Sequence, residues 1–182
     1  MAALAFVAPL SRRPPEAVSP ERFAALYQES VGDIYAYVAS LLGDRAAAED
    51  VTALAFERAY RARQRFDPRR GGARAWLFGI ARNAALDELR RRRRARLGPV
   101  TAPEADGPDH SESDAVVRRE TVRAGLAALT AREREIILLK FHGQLSAREL
   151  AQVLGVSETS AGTRLHRAMS KLRAACGEEM SA

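Results

Sequence analysis

The sequence predicts an all-α protein: two small helical domains joined by a flexible acidic linker, the second containing a helix-turn-helix. Three observations predict it. Apolar residues recur at helical spacing almost throughout, and no stretch alternates convincingly as a strand does. Capping signatures mark where helices begin. A proline-, glycine- and acid-rich segment divides the chain beyond its middle. With 182 residues, 47% hydrophobic and 29% charged, the chain suits one ordinary domain or two small ones.

Taken in order, Ser19-Pro20 opens the first helix, serine as N-cap and proline at the first helical position. Phe23, Leu26 and Tyr27 follow at helical spacing. Ile34, Val38, Leu41 and Leu42 mark a second helix that Gly43 ends, and Asp44 caps a third carrying Ala48, Val51, Leu54, Ala55 and Phe56. Phe66-Asp67-Pro68-Arg69-Arg70-Gly71-Gly72 is a break. A fourth helix runs from about Arg74 into an arginine run. From Gly98 to Asp114 three prolines and two glycines appear with Glu104, Asp106, Asp109, Glu112 and Asp114, a solvated linker. Fully stretched, it spans at most roughly 55–60 Å. The second block begins near Val116. Thr130-Ala131-Arg132-Glu133 and Ser146-Ala147-Arg148-Glu149 are capping boxes, Gly155-Val156 is a tight turn, and Ser157 caps the last helix.

Net charge is +6, the direction expected of a chain that meets nucleic acid or an anionic membrane. Only Lys140 and Lys171 are lysines. Arginine's planar fork suits phosphate and guanine, although a GC-rich genome gives the same bias, so composition alone decides nothing. Cys176 is the sole cysteine, which excludes an internal disulfide and a cysteine-based zinc site and fits a reducing cytosol. His110, His142 and His166 lie at no ligand-like spacing, so neither metal nor cofactor is expected. Ala2–Leu10 is apolar but short, with no basic residue before it and Arg12-Arg13-Pro14-Pro15 after it. It reads as a disordered extension rather than a signal peptide, and no run is long enough to insert stably in a membrane.

The last helix offers two faces. Ala161, Leu165, Ala168 and Leu172 form an apolar stripe. Thr163, His166, Arg167 and Ser170 form a polar one, with donors able to reach phosphates and base edges in a major groove. Any amphipathic surface helix has a polar face; with the turn and both capping boxes, DNA binding is the better reading. Arg90 to Arg94 with Arg96 make a charge-rich helix end that a phosphate backbone would relieve. Just before them, Trp76-Leu77-Phe78-Gly79-Ile80 is too apolar for a free surface, and Trp76 alone reads as core. The glycine- and arginine-bearing loop at Phe66–Arg74 adds a means of approaching unpaired bases closely.

These residues resemble a family. Trp76-Leu77-x-x-Ile80-Ala81-Arg82-Asn83-x-x-x-Asp87-x-x-Arg90-Arg91, preceded by Phe66-Asp67-Pro68, resembles the promoter-melting and −10 segment of extracytoplasmic-function sigma factors. Ala48-Glu49-Asp50-Val51 through Phe56 resembles their polymerase-binding helix. Leu129-Thr130-x-Arg132-Glu133-Arg134-Glu135, then Leu145-Ser146-x-x-Glu149-Leu150-Ala151-x-x-Leu154-Gly155-Val156-Ser157 and Arg164-Leu165-His166-Arg167-Ala168, resemble their −35 domain. The likeness runs in order over about residues 21–175.

The resemblance implies a division into an extension (1–18), a region-2 domain (19–96), the linker (97–115), a region-4 domain (116–175) and a tail (176–182). It implies polymerase contacts from Glu49, Asp50, Thr52, Phe56 and Arg58. It implies −10 contacts from Phe66, Arg69, Arg70, Arg74, Trp76, Arg82, Asn83, Asp87 and Arg90. For the −35 element it implies Ser157, Thr159, Ser160, Thr163, Arg164, His166, Arg167 and Lys171. The partners implied are the clamp helices and flap of core RNA polymerase, promoter DNA and an anti-sigma factor, in the cytoplasm, with no reaction catalysed. Ala53-Leu54 stands where the family usually has Gln-Glu, and Gly162 where a lysine or arginine is common. A plain helix-turn-helix regulator would explain residues 130–173 but leave Trp76–Arg92 unassigned. A nucleic-acid enzyme would need a nucleophile, paired carboxylates or metal ligands, and no such site can be assembled from these acids.

Overall fold

The computed structural model describes residues 18–96 and 121–179, and all its regular elements are helical. The sequence-based expectations for residues 1–17 of the extension, the whole linker, the start of the region-4 domain (116–120) and the end of the tail fall outside those residues. Helix α1 runs Pro20–Leu42 and α2 runs Arg45–Ala62. Two single 3-10 turns, Arg63–Arg65 and Pro68–Arg70, lead into α3, Ala73–Arg96. After the linker come a short helix at residues 121–127 (α4), then α5 (Ala131–Phe141), α6 (Ala147–Leu154) and α7 (Glu158–Glu179).

The first block differs from expectation at one point: the two helices expected before Gly43 are one. Gly32 lies inside α1, but Phe23, Leu26, Ser30, Ile34, Tyr37, Val38 and Leu42 all fall on its buried face. Burial of that continuous stripe outweighs the ~1 kcal/mol that a helical glycine costs. The predicted boundaries elsewhere are set by local chemistry. Ser19 Oγ accepts from the Arg22 N–H and Asp44 Oδ1 from the Ala47 N–H, at 3.2 and 3.1 Å. That amide and then Arg92 hold the Asp44 carboxyl below its ordinary range.

Helices α1, α2 and α3 pack around one another. Tyr37 and Phe78 meet edge to face, centroids 5.7 Å apart, at the centre of this layer. Around them Ala48, Ala55, Ala59, Ala81, Ala84 and Ala85 are buried. Such small side chains let helix axes approach closely, which is why an alanine-rich sequence makes a compact bundle here.

In the second block α6 and α5 both pack on α7 over Leu139, Leu145, Leu150, Ala161 and Ala168. Helix α5 is unusual, because Glu135, Ile136, Ile137, Leu138 and Leu139 are buried in succession. Five consecutive positions exceed one full turn, so α5 is covered on more than one side. The further cover is the first block: α1 packs on α5, and α3 on α6.

Candidate nucleic-acid interface

The helix-turn-helix is built by caps. Thr130 and Ser146 each accept from the amide three residues on, while Glu133 and Glu149 reach back to the N-cap amides at 3.0 and 2.9 Å. Gly155 closes α6 in the left-handed region, φ 67°, where a Cβ would strain the backbone. Ser157 Oγ then accepts from the Ser160 amide and starts α7. Ala161 and Ala168 of α7 are fully enclosed, and Leu165 and Leu172 pack against the same core. Consequently Thr159, Thr163, Arg164, His166, Arg167 and Ser170 are exposed. The two faces read from the sequence are therefore the faces of the folded helix.

The hydroxyls on that face are not all free. Thr163 Oγ1 donates to the Thr159 carbonyl, Ser170 Oγ to that of His166, and Ser157 and Ser160 bond each other. Lys171 is tied to Glu133 of α5. The lysine and then Thr130 pull the Glu133 carboxyl down to about 2. Arg132, part of the motif that resembles the −35 domain but not among the expected DNA contacts, borders the same cleft as Arg164 and Arg167. Its position at the start of a capped helix gives no sign of this, because only the folding of α5 onto α7 brings them together.

In the first block, Asp67 Oδ1 accepts from the Arg69 amide and sets a 3-10 turn that holds Arg69 and Arg70 out in solvent. Phe66 is buried, its ring 5.3 Å from the half-buried Trp76. These two rings, Arg70 and the exposed Asn83 border a cleft of about 380 Å³ whose other wall includes Gln152 and Val153 of α6. Asp87 is paired with both Arg58 of α2 and Arg90, at 3.4 and 3.1 Å, so these three share one charged patch. Arg91 and Arg92 pair with Glu88, and Arg92 also with Asp44 at 2.7 Å, so part of the arginine run is neutralised within the fold. On α2, Glu49, Asp50 and Arg58 are exposed, whereas Thr52 and Phe56 face the core. Burial keeps those two off the outer surface of the helix; they position it instead.

Arg74 and Arg82 are held across the boundary between the blocks. Arg74 Nη2 lies 2.6 Å from Asp33 Oδ2, and the same guanidinium donates to the His142 and Gly143 carbonyls beyond the end of α5, at 3.1 and 2.8 Å. Arg82 Nε lies 2.8 Å from Glu135 Oε1, with side chains only 20% and 9% exposed. Their charges border Tyr37, whose phenol is pushed up first by burial and then by Glu135. His142, with Ser40 Oγ 3.4 Å from its Nε2, is half-buried at this boundary; desolvation holds its imidazole below the ordinary value against the pull of Asp33.

Comparison with known proteins decides the family. Residues 26–95 match the description Sigma-70 region 2, and residues 119–172 match Sigma-70, region 4. The chain is 35% identical over 156 residues to the ECF RNA polymerase sigma factor SigL of Mycobacterium tuberculosis, covering 82% of this chain and 85% of that protein. The chain belongs to the ECF sigma factors. RNA polymerase sigma factor CarQ of Myxococcus xanthus is 33% identical over 172 residues, covering 87% and 95% of the two chains. Among solved structures, CnrH in complex with the cytosolic domain of CnrY matches with a TM-score of 0.63 and 29% identity, over 86% of this chain and 88% of that one. The fold of RpoE, in complex with the anti-sigma factor NepR from Bartonella quintana, matches with a TM-score of 0.71 at 23% identity, over 85% and 96%. This sigma factor thus acts in promoter-specific transcription initiation with RNA polymerase. Among the described residues no helix is long and apolar enough to cross a membrane, and no group of side chains is arranged to hold a metal ion.

Proposed function

We propose that the residue roles divide between the two blocks as the family resemblance implies, region 2 spanning residues 19–96 and region 4 residues 116–175. In region 4 the exposed face of α7, centred on Thr163, Arg164, His166 and Arg167, reads the −35 element in the major groove. Ser157, Thr159, Ser160 and Lys171 lie at its borders and contact phosphates. The observation that carries this assignment is the burial of the opposite stripe, which leaves α7 a single polar face after a capped helix and a glycine turn.

In region 2 the cleft of Phe66, Trp76 and Asn83 receives a non-template base of the −10 element, the rings offering a stacking wall and the amide a hydrogen-bonding edge. Arg69, Arg70, Arg74, Arg82 and Arg90 hold the strand by its phosphates, and Asp87 orients Arg90. Glu49, Asp50 and Arg58 form the contact with the polymerase clamp, from a helix that Thr52 and Phe56 anchor. The work is done by binding rather than by catalysis: each flipped base costs a few kcal/mol, offset by the contacts it gains. The reading places the protein in the cytoplasm, with no cofactor. Two matching sigma factors, CnrH solved with the cytosolic domain of CnrY and RpoE solved with the anti-sigma factor NepR, support an anti-sigma partner here as well.

Arg167→Ala and Asn83→Ala, assayed with core polymerase on a −35-dependent promoter, separate the two roles. Arg167→Ala is expected to weaken promoter binding by about 1–3 kcal/mol, the range of a good base contact. Asn83→Ala is expected to leave initial binding near parent while lowering permanganate reactivity of the −10 thymines. Parent-like transcription from Arg167→Ala, or parent-like reactivity from Asn83→Ala, would remove the corresponding assignment.

A further inference from the structure

Arg74, Arg82 and Arg92 of this sigma factor are each paired with an acid. One cleft breaks that pattern. Of about 610 Å³, it takes Arg82 from α3, Arg132 from α5, and Arg164 and Arg167 from α7. Two acids reach it and both are engaged, Glu135 by Arg82 and Glu133 by Lys171 and Thr130. Among the described residues, Arg132, Arg164 and Arg167 make no ion pair. Three like charges around one cavity repel one another, and an anion seated between them relieves that repulsion.

We propose that this cleft is a binding site for a small ligand bearing a chain of adjacent phosphates. Charge and shape set that class. A carboxylate carries one charge and a single phosphate about two, short of three guanidiniums, whereas a chain of phosphates matches them. Arginine forks also fit phosphate oxygens bidentately. The volume lies within the range of small-molecule sites and admits no duplex, so the ligand is not the promoter. Ile136 and Leu154 give the cleft an apolar strip, which accommodates a nucleoside on the chain without requiring one. A bound ligand occupies Arg164 and Arg167 and so keeps region 4 off the −35 element. That consequence, unlike the site itself, rests on the assignment of those two arginines as −35 contacts.

The test titrates inorganic tripolyphosphate and ATP into the full chain by isothermal calorimetry without magnesium, with sulfate at equal ionic strength for comparison. The expected result is one ligand per chain, bound at least about tenfold tighter than sulfate. Arg132→Ala should weaken it about tenfold, the share of one charge-assisted contact, and Arg164→Ala by a similar factor. Both side chains are exposed, so their truncation leaves the core intact. Arg148→Ala, which removes an equal charge from α6 outside the cleft, should bind as parent does. Equal losses in the Arg132 and Arg148 variants, several ligands per chain, or no preference over sulfate overturns the site. Tripolyphosphate and ATP bound alike support an inorganic chain, and ATP bound tighter supports a nucleoside polyphosphate. ATP bound without tripolyphosphate overturns the class. In a second arm, tripolyphosphate at about ten times its Kd should lower affinity for a −35 duplex about elevenfold, as direct competition requires. Unchanged DNA affinity beside one-to-one, Arg132-dependent binding supports the anion site and removes Arg164 and Arg167 from the −35 contacts.

Discussion

Gly162 lies on the recognition helix with open space around it: an added Cβ would meet nothing within 4 Å. Its cost is therefore the conformational freedom it brings to the unfolded chain, without a packing role to offset it. Gly162→Ala is expected to stabilise the protein by about 0.5–1 kcal/mol and to raise the midpoint of thermal unfolding by a few degrees. An unchanged or lower midpoint would mean that the glycine is needed for a backbone adjustment α7 does not display. Tyr37 presents the opposite case. It is enclosed completely, and its hydroxyl meets no hydrogen-bond partner among the described residues. A buried orphan hydroxyl costs about 1–3 kcal/mol, yet the ring fills the centre of the first bundle and packs on Phe78. Its place in the core was legible as one apolar position in a helical repeat. The fate of its hydroxyl was not, because that depends on Glu135 and Arg82, remote in sequence.

At the scale of the element, caps explain most of what could be read in advance. Ser19, Asp44, Thr130, Ser146 and Ser157 all cap helices through contacts within three residues, so the sequence alone sufficed. The junction within α1 was misread because the choice between one helix and two was made by burial along its whole length. The α5 cap also carries a pH signature. Glu133, held at about 2 by Lys171 and Thr130, has a folded-state value below its ordinary 4.5. A depressed carboxylate contributes stability that is fully present above the ordinary value and is lost as pH falls through the folded one. The difference in unfolding midpoint between parent and Glu133→Gln should therefore be constant above about pH 5 and shrink steadily between 4.5 and about 2. A difference that does not change over that window would show that Glu133 acts by packing alone.

For the whole molecule, the closure of region 4 on region 2 was the least legible feature. Its contacts join residues 53, 68 and 69 positions apart, and no periodicity or cap reports on such pairs. One signal was present: Glu135-Ile136-Ile137-Leu138-Leu139 is too continuous for a helix with one buried face, and its second cover is the other block. Ion pairs, most of them within the first block, explain how a chain of net charge +6 with so many arginines forms a compact body. Asp33, Asp44, Asp87, Glu88 and Glu135 each neutralise a guanidinium within the fold. The exposed faces left over are the ones assigned to promoter and polymerase, and whether they work together is a property of the entire chain. The most direct test is transcription in vitro with the purified protein, core polymerase and a fragmented genomic template. Discrete transcripts that need both the protein and the core, and that weaken with Arg167→Ala, are the predicted result. Binding to DNA at moderate salt with no core-dependent transcript would contradict the account.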